Sequence, residues 1–192
     1  MNKKMNTKDY IFAGAFAALY MVILLGVVML LSFNPVTFLM VPLIIGIVEG
    51  PVFTLYISKV PKKGAVIILA VLAGLIMSST SFFPLVISVI AGITAEIIMG
   101  GKGQNLKARS TAAYVVYNIS VTGPFSLLFF AREEFFKATG EYYGQVYVDK
   151  LEALALNWIF IVLVALALIG GFLGAKLGYK LNKKHFERAG II

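Results

Sequence analysis

A long charge-free stretch in the middle of this chain strongly limits how the chain can fold. From Gly64 to Ala95 there are 32 consecutive residues without Asp, Glu, Lys or Arg. As one α-helix they would extend about 48 Å, whereas about 20 apolar residues suffice to cross the hydrocarbon core of a bilayer. Turn-forming residues that end in a proline, Ser78–Pro84, interrupt the stretch. The sequence therefore predicts two consecutive membrane-spanning helices here.

The chain as a whole is also strongly apolar. Hydrophobic residues make up 60% of it and charged residues 14%, whereas soluble domains are about 25% charged. We expect an all-α integral membrane protein that forms one domain over residues 1–192, a bundle of six transmembrane helices. The predicted spans are residues 10–31, 35–58, 64–77, 82–99, 110–130 and 154–179.

The basic residues predict the orientation of this bundle. Fourteen of the 17 Lys and Arg residues lie before the first span, in the second and fourth connections, or at the end of the last span. Six spans place all four clusters on one side, and cytoplasmic segments of membrane proteins are enriched in Lys and Arg. We therefore expect both termini in the cytoplasm and attribute the net charge of +8 to this rule, not to nucleic-acid binding.

Motifs for catalysis are missing from the sequence. It has no cysteine, and its one histidine, His185, lies in the basic C-terminal tail. It also lacks the H-E-x-x-H, G-x-S-x-G and Walker-type patterns. The sequence predicts a protein that is not an enzyme and that needs neither a metal ion nor a cofactor.

Two carboxyl groups fall inside predicted spans, Glu49 in the second and Glu96 near the inner end of the fourth. An ionisable residue inside a membrane is costly and is therefore a candidate functional residue. Either group could couple transport to a proton or an ion. Alternatively, each is protonated or paired with a nearby lysine on the inner side.

Polar and aromatic side chains toward the outer ends of the spans predict a small-molecule site. Binding pockets combine an apolar and aromatic lining with a few placed polar groups. The alternative is that these residues form hydrogen bonds between helices and an interfacial aromatic belt. The predicted substrate-binding residues are Ser79, Asn118, Thr122, Arg132, Glu133, Tyr143, Asn157 and Trp158.

The connection between the last two spans, residues 131–153, is long, aromatic and acidic. Connections beyond about 12–15 residues are usually functional or disordered, and disordered segments are poor in aromatic residues. The sequence leaves open whether this connection is a lid over the pocket or a short interfacial helix.

Small residues recur in the first span, where Ala13 and Ala17, and Gly14 and Ala18, lie one turn apart. Such small-xxx-small pairs let another backbone approach closely. The approaching helix could belong to this chain or to another protein. The last span contains a second strip of small residues, Gly170, Gly171, Gly174 and Gly178.

Three segments resemble the bacterial membrane family called Trep_Strep. They are the first helix, "TKDYIFAGAFAALY", the loop "SKVPKKGA", and the C-terminal "GGFLGAKLGYKLNKKHFERAGII". That family is similar to the substrate-binding subunits, or S components, of energy-coupling factor (ECF) transporters. The resemblance implies a six-helix protein of the bacterial cell membrane that captures a vitamin or related micronutrient from outside.

The resemblance also implies partners. S components dock onto a transmembrane scaffold protein and two ATPase subunits, and an Ala-x-x-x-Ala strip on the first helix, here Ala13 and Ala17, would form the docking surface. The substrate could be a pyridoxine-type or thiamine-type precursor or an amino-acid-like zwitterion. Two alternatives remain: a stand-alone carrier or channel coupled through Glu49 or Glu96, and an accessory subunit without a ligand.

Overall fold

The computed structural model describes residues 5–78, 81–101 and 105–183, so Ser79 and His185 lie outside the described ranges. Every regular element within these ranges is helical, which confirms the all-α prediction. Two short 3-10 helices, Asn118–Thr122 and Pro124–Ser126, connect α6 to α7. The α-helices are α1 (Thr7–Leu31), α2 (Pro35–Leu39), α3 (Val41–Lys59), α4 (Ala65–Met77), α5 (Phe83–Gly100), α6 (Leu106–Tyr117), α7 (Leu127–Phe130), α8 (Arg132–Tyr143), α9 (Gln145–Leu154) and α10 (Ile159–Leu181).

The helices that could cross a membrane number four or five in the described residues. Helices α1, α3, α5 and α10 are each long and apolar enough, and α6 together with the segment up to Phe130 makes a fifth span, bent by 44°. Helix α4 is apolar but has 13 residues, which reach about 20 Å across a core of about 30 Å. The multi-pass membrane fold is confirmed, whereas a sixth span at residues 64–77 stays a prediction.

Helices α1 and α3 run in opposite directions, as their contacts reveal. At one end of the bundle Lys62, just after α3, forms an ion pair with Asp9 of α1 at 2.8 Å. Further along α1 and α3, the ring centres of Phe16 and Tyr56 are 5.5 Å apart. Helix α1 is therefore antiparallel to α3.

The basic segments meet at one end of the bundle. Besides the Asp9–Lys62 pair, Arg109 at the start of α6 donates to the carbonyl oxygens of Met99 and Gly101 at the end of α5. The Lys107 ammonium lies 5.3 Å from the ring centre of Tyr179 near the end of α10. The predicted topology requires this gathering of basic segments, and the side of the membrane that they face stays a prediction.

Helices α3 and α10 run parallel and touch backbone to backbone. A Cβ atom added to Gly46 would lie 2.5 Å from the carbonyl carbon of Gly170, and one added to Gly50 would lie 2.5 Å from the Cα of Gly174. One turn further along, a Cβ on Gly178 would be 2.7 Å from the carbonyl oxygen of Gly50. The glycine strip of the last span thus packs on a matching strip of α3 within this chain.

The fifth span loses its α-helical geometry in its second half, from Asn118 onward. Pro124 lacks an N–H group, and Gly123 lies so close to α5 that an added Cβ would be 2.9 Å from the Cα of Pro84. Irregular backbone at membrane depth is tolerated where protein surrounds it. Here Asn118 and Thr122 are fully buried, so the broken segment is enclosed by its neighbours.

The long connection 131–153 is helical. It forms α8 and α9, which meet at Gly144, where the positive φ of 81° favours glycine. Helix α9 buries Tyr147, Val148 and Leu151 against the bundle and packs on α2 and α8. The connection is therefore ordered as two helices, and α9 caps one end of the bundle. Whether it acts as a lid or lies at the membrane interface stays a prediction.

We expect Gly174→Ala to lower the stability of the protein by about 1–3 kcal/mol, the usual range for overpacking. The new Cβ would overlap the carbonyl group of Gly46 and approach the Cα of Ile47 to 3.1 Å, and backbone atoms cannot move aside as a side chain can. Thermal unfolding of the detergent-purified protein measures the change. Gly26→Ala is the matched control because its Cβ would have no neighbour within 4 Å. Equal melting temperatures for the two variants would contradict the proposed packing.

We expect the basic end of the bundle to face the cytoplasm. Because the chain has no cysteine, single cysteines can be introduced at the exposed positions Lys63 and Tyr142. A membrane-impermeant maleimide should label Tyr142→Cys in intact cells and Lys63→Cys after permeabilisation. The unsubstituted protein is the control, and the reverse labelling pattern would invert the topology.

Candidate functional site

Polar and aromatic side chains from three helices meet in the middle of the bundle. The Glu49 cluster consists of Tyr20 from α1, Glu49 and Phe53 from α3, and Tyr114 and Tyr117 from α6. Glu49 and three of the rings are 0% exposed, and Tyr20 is 1% exposed. The cluster is therefore sealed from both water and lipid.

The rings of the cluster form one continuous group. The centre of the Phe53 ring lies 4.7 Å from that of Tyr114 and 5.4 Å from that of Tyr117. The Tyr20 ring meets Tyr117 edge-on at 5.9 Å. Glu49 is near enough to Tyr20, Tyr114 and Tyr117 to interact electrostatically with all three.

Hydrogen bonding in the cluster is incomplete. The Tyr114 hydroxyl donates to the carbonyl oxygen of Gly46 at 2.8 Å. The hydroxyl groups of Tyr20 and Tyr117 approach each other, but neither completes a hydrogen bond with any described residue. The carboxyl group of Glu49 faces the α1 backbone at Leu24, yet both of its oxygens are also without a partner among the described residues.

Four unpartnered oxygen atoms in one buried place are unusual, because a buried polar group without a hydrogen bond costs about 1–3 kcal/mol and a charged one more. These oxygen atoms can accept hydrogen bonds from a bound solute or lie next to a positively charged group on it. The cluster is the strongest candidate for a functional site in the described part of the chain.

The sequence indicated Glu49 but missed its aromatic neighbours. The signal was available in the spacing, since Glu49 and Phe53 lie four residues apart and Tyr114 and Tyr117 three apart. Such pairs share a helix face. Nothing in the sequence, however, showed that these two faces and that of Tyr20 meet.

Glu96 has a structural partner, unlike Glu49. Its two carboxyl oxygens accept from the backbone N–H groups of Gly64 at 2.8 Å and Val66 at 3.0 Å, at the start of α4. A carboxylate is favourable at a helix N-terminus, where backbone N–H groups lack partners and the helix dipole is positive. Neither lysine pairing nor ion coupling is needed to explain Glu96.

Two of the predicted substrate-binding residues are used in packing. The side-chain amide of Asn118 donates to the carbonyl oxygens of Pro42 at 3.0 Å and Ala167 at 2.7 Å, so it joins α3, α6 and α10. The Thr122 hydroxyl donates to Ile119 within its own turn at 2.7 Å. The Asn118 contacts match the alternative of hydrogen bonds between helices, whereas the Thr122 contact stabilises its own turn.

The other described members of the predicted set lie at the ends of helices. Arg132 donates to the carbonyl oxygen of Ala155 and to the carboxylate of Glu152, each at 3.3 Å. The remaining residues, Glu133, Tyr143, Asn157 and Trp158, are exposed. The structure does not bring the seven described residues together, because Asn118 and Thr122 turn into the bundle and the others turn outward.

The tyrosines of the outer helices pair with each other. The rings of Tyr143 and Tyr147 stack with centres 4.7 Å apart. Burial, and to a smaller extent Tyr143, raises the pKa of Tyr147 to about 12, so its hydroxyl stays protonated at neutral pH. The two tyrosines lie in α8 and α9, and neither belongs to the Glu49 cluster.

An apolar groove of about 450 Å³ lies beside the broken fifth span. Its lining is almost entirely aromatic or aliphatic, and the one hydroxyl, on Ser126, donates to its own turn at Gly123. None of the seven described residues of the predicted substrate-binding set lines it. The lining residues are Ile87, Ser126, Phe129, Phe130 and Phe160.

The small residues of α1 divide between two faces, which corrects the predicted docking surface. Ala13 and Ala17 are 1% and 3% exposed, because α1 packs on α3 and α4 of the same chain through them. They cannot form an outward surface in this structure. The other pair, Gly14 and Ala18, is exposed together with Ala15.

We expect Glu96→Ala to lower stability by about 2 kcal/mol, since hydrogen bonds to charged groups contribute roughly 1.5–3 kcal/mol. The change leaves the first N–H groups of α4 unpaired. Thermal unfolding of the purified protein measures it, and Thr94→Ala is the control, because the Thr94 hydroxyl binds only Ile90 of its own helix and is exposed. An unchanged melting temperature for Glu96→Ala would show that the carboxyl group does not hold α4.

Comparison with known proteins gives one match. The family model described as "Hypothetical bacterial integral membrane protein (Trep_Strep)" matches residues 7–188. Searches of curated proteins and of solved structures found no match. Since the matched region covers nearly all of the sequence, the chain belongs to the Trep_Strep family of bacterial integral membrane proteins.

Proposed function

We propose that this protein is the substrate-binding subunit of an ECF-type transporter. It captures a small micronutrient outside the cell and delivers it inward, while separate ATPase subunits supply the energy. In this proposal the chain binds without catalysing a reaction. It lies in the bacterial plasma membrane with both termini in the cytoplasm.

The observation that carries the proposal is the Glu49 cluster. Its unpartnered carboxyl and hydroxyl oxygens lie in the interior of a membrane protein, where ionisable residues usually mark the path or site of a solute. A solute that donates hydrogen bonds or carries positive charge would satisfy them. A purely structural bundle gains nothing from leaving these groups unpaired.

The surroundings of the cluster suit a binding protein. Asn118, at the start of the broken segment, directly follows Tyr117 of the cluster. Interrupted helices are a recurring feature of solute sites in transporters, because their backbone can adjust to a ligand. The α9 cap covers the end of the bundle opposite the basic segments, so we place the route of entry there.

The outward face of α1 is the proposed docking surface for the transmembrane scaffold protein. Its small residues Gly14, Ala15 and Ala18 are exposed and leave room for another backbone. This assignment replaces Ala13 and Ala17, which are used within the chain. The two ATPase subunits would bind the scaffold protein.

Uptake experiments test the proposal. Cells that contain the scaffold protein and both ATPases should accumulate the substrate through this protein, and cells without the ATPases should not. Ala18→Trp should abolish co-purification with the scaffold protein, since a bulky indole prevents close approach, and should leave the thermal stability of the isolated subunit unchanged.

The control is Ile161→Trp, a large substitution at a residue of α10 that is already 73% exposed. It should leave complex formation intact. If the Ala18→Trp variant still co-purifies with the scaffold protein, α1 does not form the interface. If deletion of this protein leaves uptake unchanged and no metabolite raises its melting temperature, the protein is instead an accessory subunit without a ligand.

A second candidate function is a stand-alone carrier coupled through Glu49. The lack of a described partner for its carboxyl group favours this alternative, whereas Glu96 is already occupied as the cap of α4. Uptake that persists without the ATPases but stops in Glu49→Gln would establish the carrier and exclude the S-component proposal.

A further inference from the structure

We infer that the Glu49 cluster binds the positively charged end of a small organic ammonium compound. The inference rests on the proposed function, because it assigns a chemical class to the substrate of that site. It is drawn from the charge, the burial and the aromatic surroundings of Glu49.

The first argument concerns charge. Ion pairs among the described residues join Asp9 to Lys62 and Arg132 to Glu152, and neither involves Glu49. A carboxyl group that is 0% exposed and has neither a cation nor a hydrogen-bond donor among the described residues is unfavourable when it ionises. A bound cation would supply the missing partner inside the bundle.

The second argument concerns the aromatic residues. Phe53 and the three tyrosines place four rings around the middle of the bundle, with neighbouring ring centres 4.7–6.5 Å apart. Ammonium groups bind to the faces of aromatic rings, with the cation within about 6 Å of the ring centre, and the attraction reaches about 2 kcal/mol or more where water is excluded. A carboxyl group beside several rings is the arrangement that such a cation favours.

The same features argue against a hard inorganic cation. Calcium and magnesium take about six or more oxygen ligands. The cluster offers four unpartnered oxygen atoms, two from Glu49 and one each from Tyr20 and Tyr117. The rest of its lining is aromatic carbon, which binds an organic cation better than a strongly hydrated metal ion.

For a solute that enters from the α9 end of the bundle, the cluster opens most easily on the side formed by α1. This helix contributes Tyr20 and is the least buried of the long helices, whereas α3, which contributes Glu49 and Phe53, is the most buried. A displacement of α1 away from α3 would therefore open the cluster while the contact between α3 and α10 remains intact.

Equilibrium binding to the purified full-length protein in lipid nanodiscs tests the inference. The probe is choline, and its control is 3,3-dimethylbutan-1-ol, which has the same shape without the charge. Choline should raise the melting temperature and give a measurable Kd by calorimetry. The uncharged analogue should bind at least about tenfold more weakly, the factor that corresponds to 1.4 kcal/mol.

Variants connect this binding to the cluster. Glu49→Gln keeps the shape of the side chain and removes its charge, so choline should bind at least about tenfold more weakly. Glu134→Gln, at an exposed position of α8, is the matched control and should bind like the unsubstituted protein. Tyr20→Phe removes a hydroxyl group and keeps the ring, so it should retain most of the affinity for choline.

Three results would overturn the inference: equal affinity for choline and its uncharged analogue, undiminished choline binding by Glu49→Gln, or stabilisation by sodium chloride alone that requires Glu49. The proposed function fails separately, if uptake is independent of the ATPases. Uptake that depends on the ATPases without choline binding would leave the S-component proposal standing and exclude the ammonium class.

Discussion

The backbone contact between α3 and α10 is the constraint around which the other helices are arranged. Lipid is as apolar as leucine, so close packing and hydrogen bonds must hold membrane helices together. The glycines at positions 46, 50, 174 and 178 let the two backbones touch directly at several points along this contact. The carbonyl oxygen of Gly46 also accepts from Tyr114, and Asn118 then joins α6 to both helices.

The Glu49 cluster depends on this framework. Glu49 lies between Gly46 and Gly50 in sequence, so the tightest contact in the bundle fixes the helix that carries it. Its other neighbours, Tyr20 and Tyr117, belong to α1 and α6, which contact α3 less extensively than α10 does. A rigid carboxyl group facing a more adjustable wall can hold a solute in place and still let it enter and leave.

Small residues serve two purposes in this chain, and their position on the helix decides which. On α1, Ala13 and Ala17 face the bundle and bring α1 close to α3 and α4, whereas Gly14 and Ala18 face outward. Residues one position apart on a helix point about 100° away from each other. The sequence therefore showed that two strips exist, but their assignment to an internal and an external surface required the packed structure.

The sequence by itself determined the membrane location, the helical class and the gathering of basic segments, because a bilayer forces each backbone group to bond within its own segment and the charges to remain at the ends. It also identified Glu49 and Glu96 as ionisable residues whose placement inside a membrane costs free energy. Tertiary structure alone decided that Glu96 caps α4 and Glu49 has no described partner. Whether a buried polar group is satisfied depends on residues far away in the sequence, and no local pattern encodes those contacts.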